Sequence, residues 1–390
     1  MDIQKNPTMH YFQNVFLSTL LALLFISCKS EPDKDLKAPS PIETESNIKY
    51  ATGFEINTFE GYKTIKLKNP WPGTSKTFTY ALVEKNGSLP NPESYDAVVE
   101  VPVKRIVVTS TTHIPSIEML DKNEALVGFP NLNYISSKKT RQSISEEKIT
   151  ELGKNEDINT EILIDLKPDV VIGFAVDGNN SAFATIGKTG IPVLYNSDWT
   201  ETSPLGKAEW IKFFGVLFDK EKEADSIFNT IETEYLSAKK IASKASKKPT
   251  VISGAMYKDV WYIPQGDSWA AQFIADANGE YLWKDSKGTG GLSLNLESVL
   301  DKGHDAEIWI GPGQFTSLEE MKNASQAYTQ FKAFKTGKVY TYSLKKGETG
   351  GVLYFELAPN RPDLVLKDLI KILHPELLPN YELYFFDKLK

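Results

Sequence analysis

Residues 108–116, VTSTTHIPS, place hydroxyls and an imidazole where a buried strand gives way to a helix. Free N–H groups at such a helix start, with Thr111, Thr112 and His113 beside them, can hold an anionic or polar ligand group. Simple capping of the helix is the alternative. Lys138, Lys139 and Arg141, in YISSKKTRQ, could add positive charge at the same mouth or form an ordinary solvated loop. Aromatic residues recur at strand ends and in loops: Tyr134, Phe174, Trp199, Tyr257, Trp261, Trp269, Phe315 and Tyr354. In open α/β sheets ligands bind beyond the carboxyl ends of the strands. Aromatic side chains there offer large apolar area at little entropic cost. Any one of them could instead fill a core, but the set predicts an aromatic-lined cleft.

Other chemistries fail on spacing. GKTG at 187–190 is similar to a phosphate-binding loop, but that motif needs a glycine at position 182, which is Ala, and a strand follows it rather than a helix. No G-x-S-x-G nucleophile elbow occurs. The histidines are His10, His113, His304 and His374, none near another in sequence, so no metal site is expected. His374 is expected at the C-terminal end of the last helix. The residues suggest no catalytic group and no cofactor.

The elements that must position these residues alternate strand and helix from Val101 onward. KRIVVT, ALVGF, DVVIGF and IPVLYN read as strands of a parallel sheet with helices between. Residues 220–246 contain no Gly or Pro and carry apolar residues at one-face helical spacing, from Ala224 to Ile241. A helix of that length would run roughly 40 Å, long enough to strut two lobes. Beyond Pro249 the pattern restarts with PTVISGAMY, DVWYIP, AEIWIG and KVYTYS, and closes on a helix over 362–377. NTEILIDLKPDVVIG (159–173) and NLESVLDKGHDAEIWIG (295–311) repeat one design, with Asn159 and Asn295 as helix caps and Glu161 and Glu297 in the first turn. The duplication implies two similar lobes facing each other. Ahead of them, residues 48–98 alternate apolar and polar residues between turn signals, as a small antiparallel β unit would.

The N-terminus supplies a further chemical group. Cys28, the only cysteine, ends an apolar, uncharged run. The run is short for a membrane span, so an anchor helix is the weaker alternative to a secretory signal. Ser27 before the cysteine, with Leu24 and Ile26, resembles a bacterial lipoprotein signal, although Phe25 stands where Leu is usual. The resemblance implies that Cys28 becomes the first mature residue and is acylated. Residues 29–47 then read as a solvated tether. Net charge is −7, the arginines are Arg105, Arg141 and Arg361, and no basic block suggests nucleic acid.

From about Val101 to Leu378 the chain resembles the substrate-binding proteins of ABC importers for iron–siderophore complexes, haem and cobalamin. The matching stretches are KRIVVTSTTHIPSIEML, VGF, NTEILIDLKPDVVIG, IPVL, the long helix, GGLSLNLESVLDKGHDAEIWIG, and FKAFKTGKVYTYS with the final helix ending HPEL. The resemblance implies two α/β lobes with parallel sheets bridged by one long helix, here with a small N-terminal β extension. The expected division is a signal peptide 1–27, a tether 28–47, the β extension 48–98, a first lobe 99–204, a helical bridge 205–248 and a second lobe 249–390. It also implies docking acids that meet a permease: Glu319 and Glu320 in the second lobe, and Asp177, where the family has Glu, in the first. The expected molecule is a monomeric, non-enzymatic, lipid-anchored protein of the cell envelope. It captures a metal chelate or corrinoid between its lobes and works with an ABC permease and its ATPase. A sensor or interaction lipoprotein, and an enzyme on the same architecture, are the alternatives. Three arginines are few for a strongly anionic ferric catecholate, though lysines could substitute.

Overall fold

The computed structural model describes residues 47–178 and 180–390. Cys28 and most of the tether lie outside the described residues. No helix among the described residues is long and apolar enough to cross a membrane.

The N-terminal extension is a four-stranded sheet: β1 (Phe54–Phe59), β2 (Tyr62–Lys68), β3 (Thr77–Glu84) and β4 (Ala97–Val101). The first three strands are antiparallel as expected, but β4 runs parallel to β3, so the sheet is mixed. Its apolar face, with Phe54, Ile65, Leu67, Tyr80 and Leu82, shares one core with the first lobe.

That lobe carries β5 (Ile106–Val108), β6 (Leu126–Phe129), β7 (Thr150–Glu151), a two-stranded hairpin of β8 (Gly153–Lys154) and β9 (Asp157–Ile158), then β10 (Val170–Gly173) and β11 (Val193–Tyr195). The all-parallel sheet has the order β11-β10-β5-β6-β7. Its strands read as continuous Val/Ile/Leu runs because helices and the extension bury both faces.

The second lobe begins with β12 (Thr250–Ser253), β13 (Ala255–Tyr257), β14 (Val260–Pro264), β15 (Glu280–Tyr281) and β16 (Gly291–Leu294), followed by β17 (Ile308–Ile310), β18 (Val339–Thr341) and β19 (Asp387–Lys388). Its main sheet has the order β15-β12-β17-β18-β19, parallel except for the last strand. In each lobe the first strand (β5, β12) lies between the second (β6, β15) and a later one (β10, β17), so the two lobes share one switch-point arrangement, with β7 an added edge strand of the first. The duplicated Asn residues cap equivalent helices: Asn159 Oδ1 accepts from the N–H of Ile162 at 3.1 Å, and Asn295 Oδ1 from Ser298 at 2.8 Å.

The stretch PTVISGAMY is two strands. Gly254, at φ 75°, breaks it, and a Cβ there would lie 1.8 Å from the carbonyl oxygen of Tyr262. β13, β14 and β16 form a separate antiparallel sheet, so DVWYIP is not part of the parallel sheet.

The bridge is shorter and more broken than its composition suggested. Helices at Pro204–Glu209 and Ile211–Phe218 precede a 22-residue helix, Glu221–Ala242, about 33 Å long. Ala224, Phe228 and Ile231 on this helix enter the first-lobe core, and Tyr235, Ala238 and Ala242 enter that of the second. A single stripe at spacings of three and four thus ties both lobes to one rod.

Residues 47–53 form a strap across this bridge. The Glu209 carboxylate accepts from the N–H groups of Lys49 (2.8 Å), Tyr50 (2.6 Å) and Ala51 (2.9 Å). Glu201 Oε1 accepts from those of Thr52 and Gly53, each at 2.8 Å. Lys212 Nζ sits 3.0 Å from Glu209 and balances its buried charge.

Candidate functional site

The loops leaving β5 and β10 in the first lobe, and β12 and β17 in the second, open onto cavities. In the first lobe, Thr109 follows β5, and its hydroxyl accepts from the N–H of Phe174 at 2.8 Å, tying the ends of β5 and β10 together. A cavity of about 540 Å³ opens there, lined among others by Ser110, Thr111, Tyr134, Lys154, Phe174 and Phe355. The helix after it does not offer free N–H groups. The N–H groups of His113 and Ile114 donate to the carbonyls of Ser110 and Thr111, each at 3.2 Å, and that of Thr112 to Ser110 Oγ at 3.3 Å. An anion would find these donors occupied, although the N-cap residue Thr112 makes no side-chain cap of its own.

His113 is not a cleft residue. It opens the helix His113–Met119 and is buried there, its ring 5.5 Å from Phe214. Burial pushes its pKa down to about 4. Trp199 also lies off the wall. It packs edge-on behind Phe174 at 5.9 Å and supports that ring. Tyr134 stands on the wall, 63 % exposed. Arg141 donates to the carbonyl of Leu132 at 2.8 Å, and exposed Lys139 pairs with Asp121 at 3.3 Å.

In the second lobe a cavity of about 740 Å³ is bounded by Gly254, Tyr257, Tyr262, Trp269, Phe315 and Tyr342, among others. β14 alternates strictly, so Trp261 faces the core at 0 % exposure and Tyr262 faces the cleft at 47 %. The expectation that Trp261 lines the cleft is thus corrected by one residue. Trp261 stacks on Trp309 at 5.3 Å and donates its indole N–H to the carbonyl of Ser253 at 3.1 Å. Tyr257 is 68 % exposed on β13, and Phe315 leans edge-on against Tyr328 at 5.7 Å.

A smaller cavity of about 200 Å³ lies beside each of these two. It shares Trp269 and Tyr342 with the second-lobe cavity and Phe355 with the first. Tyr354 is buried on its wall, stacked on Tyr342 at 4.7 Å. Phe355 points out at 54 % exposure and lines both the small cavity and the first-lobe one. Sequence reasoning missed Phe355, Tyr262 and Tyr342. Strict alternation along β14 was the available signal for Tyr262. Phe355 follows Tyr354 on a short helix whose phase the sequence did not show.

The acids divide. Glu320 accepts from the N–H and hydroxyl of Thr316 at 2.8 and 3.0 Å, which holds its pKa below the usual carboxylate value. It serves as a helix cap on the cavity wall, and Glu319 is the exposed acid beside it. Asp177 is exposed in the loop after β10. Among the described residues, no three His, Cys, Asp or Glu side chains gather where a metal ion could sit.

At the base of the cleft the lobes are sewn together. Glu356 accepts from the N–H groups of Ser136 (2.6 Å) and Ser137 (2.9 Å). Asn360 bonds Ser116 Oγ at 2.7 Å and the carbonyl of Thr112 at 2.8 Å. Burial, with nearby Glu118 adding to it, pushes the Glu356 carboxyl up to about 7. The folded protein then keeps a proton that the unfolded chain has released. Glu356 contributes stability below the ordinary carboxyl pKa, and this is lost as pH rises through about 7. The urea midpoint of the wild type should fall between about pH 5 and pH 8, and Glu356→Gln should flatten that fall. Parallel pH profiles for the two proteins would show that Glu356 titrates normally.

The comparisons agree with this architecture. A family model described as "Periplasmic binding protein" matches residues 106–344. An uncharacterized lipoprotein of Methanocaldococcus jannaschii is 29% identical over 75% of this chain and 70% of its own. A second from that organism is 24% identical over 97% of this chain and 100% of its own. Among solved structures, a periplasmic binding protein from Veillonella parvula is similar in fold, with TM-score 0.56 at 14% identity, covering 82% of this chain and 95% of its own. The molybdate periplasmic binding protein of Haemophilus influenzae has TM-score 0.55 at 18% identity, covering 73% and 90%.

Proposed function

This chain belongs to the periplasmic binding protein family, and from that premise we propose that it is the substrate-binding component of an ABC importer. It captures an iron–siderophore, haem or cobalamin-type ligand between its lobes and delivers it to a membrane permease with its ATPase. The observation that carries this reading is the pair of aromatic-lined cavities. Tyr134, Phe174 and Phe355 line one cavity and Tyr257, Tyr262 and Trp269 the other, at the strand ends of two like sheets, with a smaller cavity sharing residues with each. Such walls can cover a bulky guest rich in apolar and π surface. The cleft acts by binding, without a reaction. The bridging helix, packed into both cores, favours a largely pre-formed cleft with little hinge motion.

Titration of the three ligand classes, followed by tryptophan fluorescence, tests this reading. One class should bind well below about 0.1 mM, and Phe355→Ala should weaken it about thirtyfold, the loss of an interface hot spot worth roughly 2 kcal/mol. No binding of any class at about 0.1 mM removes the proposal.

In cells, acylated Cys28 holds the protein at the membrane, close to its transporter. There Glu319 and Asp177 meet basic residues of the permease. Uptake assays extend the same experiment. Cys28→Ala should release the protein to the soluble fraction, and Glu319→Lys should lower uptake while affinity stays unchanged. An unaltered membrane fraction, or normal uptake, removes the corresponding part.

A further inference from the structure

The side chains of the cleft also bear on the charge of its guest. Among the described residues, the charged groups lining the two large cavities are Lys154, Glu156 and Glu320. One cation against two carboxylates suits an anionic guest poorly. None of the three guanidinium groups lines either cavity, and each bonds elsewhere, although Arg141 Nε is buried without a partner. Arg105 donates to the carbonyl of Leu166 at 3.1 and 2.6 Å, Arg141 to that of Leu132 at 2.8 Å, and Arg361 forks onto Asp363 at 2.9 and 2.7 Å.

Lys258 stands 5.6 Å over the ring of Tyr257 at the rim of the second-lobe cavity, and two further candidates for positive charge lie beneath the walls. His113 is buried and, with its pKa near 4, neutral at physiological pH. Lys207 approaches the Trp269 ring to 5.2 Å, but its ammonium donates to the carbonyls of Asp198 and Trp199, each at 3.0 Å. What the walls do present is ring face. Aromatic faces are electrostatically negative and attract cations. An anion moved into such a cleft would lose its hydration with only Lys154 in the lining to offset that loss, and Glu156 and Glu320 to oppose it.

We propose that the guest is a neutral or cationic chelate with a broad apolar or π face, and that the cleft rejects polyanionic chelates. This rests on the capture reading and narrows it. Calorimetric titration of the full chain tests it with probes of differing charge. Ferrioxamine B is cationic, ferrichrome and cyanocobalamin are neutral, ferric enterobactin is trianionic, and haemin carries two carboxylates.

The tightest neutral or cationic probe should bind at least about thirtyfold more strongly than either anionic one. Gln314→Lys, which adds a cation at the exposed cavity wall, should narrow that gap about tenfold. An anionic probe that binds as well as or better than the others overturns the charge assignment and leaves the capture reading standing. An unchanged gap in Gln314→Lys also overturns it, because discrimination would then come from shape. If no probe binds at about 0.1 mM, both fall together.

Discussion

Trp261→Ala should unfold the second lobe more readily and not merely empty its cleft. The indole is fully buried in a cluster with Trp309 (5.3 Å), Tyr328 (5.6 Å) and Phe331 (5.4 Å). Truncating a buried aromatic to alanine removes its transfer free energy and leaves a cavity, together about 3–5 kcal/mol. The indole N–H bond to Ser253 is lost too, at the carboxyl end of β12, where the cleft loop begins. A domain is commonly stable by only about 5–15 kcal/mol, so the loss is a large share of the whole. Tyr262→Ala, one residue on, should cost little stability, because that ring is 47 % exposed toward the cavity, and should weaken ligand binding instead. Urea midpoints and ligand affinities of the two variants separate the cases. A Trp261→Ala midpoint within about 0.5 kcal/mol of wild type would contradict the core assignment.

This one-residue exchange shows where sequence legibility ended. The parallel strands were legible because burial on both faces writes them as unbroken Val/Ile/Leu runs, such as VVIG and IWI. The caps Asn159 and Asn295 were legible because capping is local chemistry three residues long. A strand's period tells which residues share a face but not which face meets the core. VWYIP carries large residues on both faces, and only the partner strands β13 and β16 decide that Trp261 turns inward. Helical phase posed the same problem at His113 and at the Tyr354–Phe355 pair. The extension's β4 pairs in parallel with β3 across a loop from Lys85 to Asp96, a long-range choice that alternation along each strand does not encode. The long helix loses its expected last turn: it starts within one residue of the expected 220 but stops at Ala242, with Ser243 as its C-cap.

Glu209→Ala should loosen the strap at residues 47–53 and lower stability by about 3–5 kcal/mol, the range for breaking a buried ion pair by removing one partner. The carboxylate is fully buried, and three successive N–H groups, of Lys49, Tyr50 and Ala51, converge on it. Without it those donors must detach to reach water or stay buried without an acceptor, at about 1–3 kcal/mol each. Lys212, itself buried, would keep Asp225 at 3.3 Å but lose its nearer partner. The strap then has reason to peel. Tyr50 would follow, giving up its bond to Glu232 (2.7 Å) and its packing against both lobe cores. Amide exchange of residues 49–53 should accelerate more than that of the sheet cores, and Glu209→Gln should restore part of the protection because its carbonyl still accepts. Unchanged exchange at these amides would mean that the clamp contributes nothing. The position of the clamp gives the test functional weight. If Cys28 is the membrane anchor, every force on the tether enters the folded unit through this strap. Backbone donors held by a buried, charge-balanced carboxylate resist peeling better than exposed side-chain contacts would, because each bond must break before water can replace it.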